Sequence, residues 1–81
     1  MITAEEIEAV LQEKFPGAVV AAQDLTGTND HFEVRVVSEA FRGKSLIEQH
    51  QMINRALESP LEDGRIHALK IKTFTPEQMK R

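Results

Sequence analysis

Apolar residues recur along this chain with two periods, one helical and one of a strand. Ile7, Val10, Leu11 and Phe15 fall at helical spacing. Thr3 with Glu6 makes a capping box ahead of them, and Pro16-Gly17 stops the helix. Val19 to Gln23 is a short apolar run that reads as a strand. Thr26-Gly27-Thr28-Asn29-Asp30 is turn chemistry. From His31 to Val37 the pattern alternates, with Phe32, Val34 and Val36 on one side and His31, Glu33 and Arg35 on the other. The two strands form a hairpin. Ser38 to Lys44 is a connector that holds Phe41 and Gly43. Ser45 with Glu48 is a second capping box, opening a helix whose Leu46, His50, Ile53 and Leu57 share a stripe. Pro60 and Gly64 bracket a short link of about one helical turn. Leu69 and Ile71 alternate with Lys70 and Lys72 in a third strand that ends near Thr73-Phe74. Thr75-Pro76-Glu77 opens a last turn.

The predicted order is α-β-β-α-β. A helix between the second and third strands forces a crossover, so those strands run parallel, while the first two are antiparallel. Both helices then cover one sheet face. The other face carries Glu33, Arg35, Lys70 and Lys72 and is expected to be solvated. Parallel neighbours start at the same end of a sheet, so the topology brings His31 and His67 towards a common point beside the Gly27 loop. In regular strands their parities would send the two rings to opposite faces. They converge only where one lies in a loop or at a bulge; otherwise they are two strand-end histidines bonded to backbone.

Composition narrows the function classes. Residues 1–81 form one domain. Leu, Ile, Val and Phe supply 22 of the 81 residues, enough to argue against disorder. A domain this small buries only about 60% of its unfolded surface, which favours a binding or carrier module over an enzyme with a deep cleft. No Cys is present, so disulfides, thiol chemistry and Cys-based metal sites are excluded. No run is long enough to span a bilayer, the acidic N-terminus is unlike a signal peptide, and the expected location is the cytoplasm. A net charge of −3 argues against a non-specific nucleic-acid coat.

The candidate chemistry is sparse. Two neighbouring imidazoles can begin a metal site, with Asp24 or Asp30 as possible oxygen donors, but the set is incomplete without outside ligands. His50 reads as a half-buried helix residue bonded to a carbonyl. Gly43-Lys44-Ser45 lacks the upstream Gly of a phosphate loop, because position 38 is Ser. Ser38, Ser45 and Ser59 have no nucleophile-elbow setting. Arg42, Lys44, Lys70 and Lys72 could touch phosphates, without interleaved aromatics to stack on bases.

In the ordered set His31-Phe32-Glu33-Val34, Phe41-Arg42-Gly43-Lys44-Ser45-Leu46, His50, Leu57, Ile66-His67-Ala68-Leu69 and Thr73-Phe74-Thr75-Pro76, the chain resembles the BolA family. The resemblance covers nearly the whole chain. It implies an α+β, class II KH-like fold: α-β-β-α-β with a mixed three-stranded sheet and helices on one face. It implies a non-enzymatic partner of a monothiol glutaredoxin, sharing a bridging [2Fe-2S] cluster to which the glutaredoxin Cys and glutathione bring thiolates. The family's ligand near the C-terminal strand maps onto His67. Its loop ligand has no direct counterpart in the short loop Leu25 to Asp30, and His31 is the nearest imidazole. The free chain is then expected to be a monomer or weak homodimer that holds no stable cluster. The family is also regarded as including transcription regulators. The resemblance therefore allows DNA as a second partner, contacted through Arg42, Lys44, Lys70 and Lys72. The Arg-His-Arg that the family often shows on the second helix is here Gln49-His50-Gln51.

Overall fold

A computed structural model describes residues 1–79. Its first element, α1 (Ala4–Lys14), starts at the expected capping box: the Thr3 hydroxyl accepts the Glu6 N–H, and the Glu6 carboxylate accepts the Thr3 N–H at 2.9 Å. Ile7 and Leu11 are buried on its inner face, and Phe15 closes it. Gly17, at φ +83°, turns the chain into β1 (Val19–Asp24). β2 (His31–Val37) pairs antiparallel with β1, and β3 (Ala68–Phe74) lies parallel on its other side, so β2 is central. The sheet register sets His31 opposite Ala68 and Val34 opposite Ile71.

Between β2 and β3 the chain makes a 3-10 turn (Glu39–Phe41), then α2 (Leu46–Ala56) and the short α3 (Glu58–Glu62). The Ser45–Glu48 capping box is also formed. A last 3-10 turn (Pro76–Met79) follows β3. α1 packs over β1 and α2 over β3, on the same side of the sheet. Phe32, Val34, Val36, Phe41, Ile53 and Leu57 are fully buried between them, and Phe15 and Phe41 meet with ring centroids 5.6 Å apart.

Three details depart from the expected pattern. Leu46 is 62% exposed rather than part of the α2 stripe. Residues 46–48 all stand clear of the sheet, and packing begins at Gln49, whose amide oxygen accepts the Thr73 hydroxyl at 2.5 Å. The open sheet face is not uniformly charged. One end is an apolar depression lined by Val19, Ala21, Val37, Phe74 and Met79, with the Arg35 guanidinium 5.8 Å from the Phe74 ring centre. His50 is half-buried as expected, yet its ring makes no hydrogen bond to a carbonyl among the described residues.

Candidate functional site

The site lies at the sheet end where β2 and β3 both begin. Its first part is the hairpin loop, which is built on Asp24. One carboxylate oxygen of Asp24 accepts the N–H of Thr26 (3.2 Å) and of Gly27 (2.9 Å), and the other accepts that of Asn29 (3.0 Å). Gly27 (φ +77°) and Asn29 (φ +57°) both take left-handed conformations, which Gly and Asn tolerate best. This folding delivers Asp30 and His31 to the strand start. The Asp30 Oδ1 faces His31 Nδ1 at 2.8 Å and also accepts the hydroxyl of Thr28 and, at 3.3 Å, that of Thr26. The Thr28 hydroxyl bond, then that of His31, holds the Asp30 carboxyl down at about 2, well below the ordinary carboxylate range.

The second part is the entry to β3. Ile66 is buried, and its N–H donates to the Pro60 carbonyl at 3.0 Å. Ala68 is the first residue in register. His67, between these two anchors, is not yet strand. Its N–H and that of Ala68 both donate to the Asp30 carbonyl, at 2.7 and 3.2 Å. Two successive N–H groups on one carbonyl mark a bulge-like irregularity. This removes the parity conflict: His67 lies outside the alternation of β3, and its ring comes beside that of His31, with centroids 5.9 Å apart and planes tilted by 33°.

Both rings are reachable. His67 is exposed, and the His31 side chain is 40% exposed. The ring of His67 makes no hydrogen bond to another described residue, and that of His31 makes only the one to Asp30. Beside them is an open depression of about 330 Å³ lined by Thr28, Asp30, Asp63, Arg65 and His67 among others.

Imidazole nitrogens are borderline donors suited to iron, zinc or copper. A metal–nitrogen bond of about 2.1 Å places a ring centre roughly 3 Å from the metal, so rings 5.9 Å apart can face one ion or adjacent irons. The oxygen donors considered with them are otherwise engaged: Asp24 with loop N–H groups, Asp30 with His31 and two threonines. Among the described residues no three His, Asp or Glu side chains are grouped so as to hold a metal ion. Alone, the pair could supply at most two ligands of a four-coordinate shell.

The basic residues are dispersed in role. The Arg42 guanidinium is bound by Glu39 (2.8 and 3.0 Å) and Glu77 (3.2 Å), and Lys72 lies 3.7 Å from Glu33. Lys70 is on the open sheet face with Lys72, while Lys44 lies in the connector before α2. Gln49 and Thr73 drew no attention in the sequence beyond the charge that Gln49 lacks. Their bond across α2 and β3 is structural. The amide of Gln49 also donates to the carbonyls of Phe41 and Lys44, at 3.3 and 3.0 Å, which closes the connector.

The fold and site together define a small α+β domain of the class II KH-like type, with an exposed histidine pair at one sheet end. The family model described as BolA-like protein matches residues 9–78. Protein BOLA2 from Arabidopsis thaliana is 45% identical over 82 residues, which cover 99% of this chain and 86% of that one. A BolA protein homologue from Coxiella burnetii has the same fold at a TM-score of 0.84, with 29% identity and 100% of both chains covered. The BolA domain of SufE1 from Arabidopsis thaliana follows at 0.83, with 31% identity and 93% of each chain covered. The chain belongs to the BolA family. Among its described residues no helix is long and apolar enough to cross a membrane.

Proposed function

We propose that this chain is a non-enzymatic, cytoplasmic adaptor for iron–sulfur cluster trafficking or iron sensing. It acts as a heterodimer with a monothiol glutaredoxin, and a [2Fe-2S] cluster is the cargo held between them. His67 is the principal ligand from this chain and His31 the second. The observation that carries the reading is the histidine pair itself: two accessible rings side by side, with no third metal-holding side chain grouped with them among the described residues. Such a pair has use for a partner that brings thiolates. Replacing thiolate by imidazole raises a cluster's potential, as in Rieske centres, and suits a cluster that is to be passed on.

The test is reconstitution of the chain with a monothiol glutaredoxin, iron, sulfide and glutathione, followed by visible absorption and circular dichroism. His67→Ala is expected to abolish the histidine-ligated spectrum while the amide spectrum of the apo-chain keeps its fold. An unchanged cluster spectrum in that variant refutes the assignment. The nucleic-acid reading has less support, because Arg42 and Lys72 already face carboxylates. It predicts a salt-dependent gel shift by the isolated chain.

A further inference from the structure

One residue is bonded to both members of the histidine pair. The Asp30 carboxylate faces His31 Nδ1 at 2.8 Å, and the Asp30 main-chain carbonyl accepts the N–H of His67 at 2.7 Å. A carboxylate accepts hydrogen bonds and cannot donate them, so the nitrogen it faces carries the proton. In neutral His31 that proton is on Nδ1, and the lone pair is on Nε2. Metal-binding histidines have this arrangement, the second nitrogen giving its proton to a carboxylate or carbonyl, which fixes the tautomer and raises ligand basicity.

The contact is more than a chance meeting on the surface. The Asp30 oxygen is itself held by the hydroxyls of Thr28 and Thr26. The backbone before it is pinned by the three N–H groups on Asp24. An exposed loop thus fixes one carboxylate rotamer, and that carboxylate points at one ring nitrogen. Among the described residues His67 has no such partner on its ring, so the two histidines are not equivalent.

We infer that Asp30 is a positioning residue for the pair: its carboxylate commits His31 to offering Nε2, and its carbonyl seats His67 alongside. The inference rests on the cluster reading above for the identity of the metal, but its first consequence belongs to the free chain. Long-range ¹H–¹⁵N correlation at about pH 8.5, where imidazoles are ordinarily neutral, is expected to show His31 as a single Nδ1–H tautomer. His67 in the same sample shows the ordinary solution mixture. Asp30→Ala leaves the main-chain carbonyl in place, and it is expected to return His31 to that mixture with the fold retained. In the reconstituted heterodimer Asp30→Ala is expected to lower cluster retention by about 10–100-fold, with pairing of the two apo-proteins unchanged. A His31 that already shows the mixture overturns the inference, and so does one unmoved by Asp30→Ala. Lost tautomer with unaltered cluster retention overturns the positioning role. If the tautomer behaves as stated but the unsubstituted heterodimer gives no histidine-ligated cluster, the cluster reading fails, and the role towards iron fails with it.

Discussion

Asp30 combines a half-buried position with a carboxyl held at about 2, and the cause is local: the Thr28 hydroxyl first, then the His31 ring. A carboxyl whose pKa is depressed by folding stabilises the folded chain above its unfolded value. That contribution is complete above about pH 4 and is lost as the pH falls from 3.8 towards 2. A ¹³C carboxyl titration should therefore find the Asp30 midpoint near 2. His31→Ala should raise it, though not to 3.8, because the larger Thr28 contribution remains. A midpoint at the ordinary value in the unsubstituted chain contradicts the loop geometry. At this scale the sequence was half legible. Strand order alone brings His31 and His67 to one sheet end, but parity sends their rings apart. What resolves the conflict is two N–H groups sharing the Asp30 carbonyl, and no residue type announces that. Likewise, Asp24 and Asp30 read equally well as oxygen donors. Only the folded loop shows one capping N–H groups and the other orienting a ring.

Among the elements, those with chemical punctuation were the most readable. α1 and α2 begin at Ser/Thr…Glu capping boxes, and both boxes are formed. α2 departs from its sequence stripe in the first turn, because the stripe records which residues could be buried and not where the sheet ends. The edge strand β1 shows a device that no local pattern reveals. The Ala22 N–H faces the free edge, and the Glu8 carboxylate on α1 accepts it at 2.8 Å. That bond ties helix to sheet and occupies one site where another strand could pair. Hydrogen exchange is expected to show the Ala22 amide protected despite its edge position. Glu8→Ala should speed its exchange by at least about tenfold, since a hydrogen bond to a charged group contributes about 1.5 kcal/mol. Equal exchange in the two proteins would show that the contact does not persist in solution.

As a whole the molecule is a one-sided sandwich, with helices on one sheet face and the other face open. All the fully buried side chains lie in that single layer, so a domain expected to be stable by about 5–10 kcal/mol depends on few of them. Phe41→Ala should cost about 3–5 kcal/mol in urea unfolding. Val19→Ala, at a position 68% exposed on the open face, should change stability by no more than about 0.5 kcal/mol. Comparable losses at both sites would mean that the open face is covered in solution. The core is thin, and His31 and His67 stand at the surface, where a second protein can reach them. Pulsed EPR tests that claim most directly. This chain, labelled with ¹⁵N-histidine, is reconstituted with unlabelled glutaredoxin, and the cluster is then reduced. The expected result is a ¹⁵N hyperfine coupling whose principal component is lost in His67→Ala. A cluster that forms between the two proteins without any coupling to labelled nitrogen would contradict it.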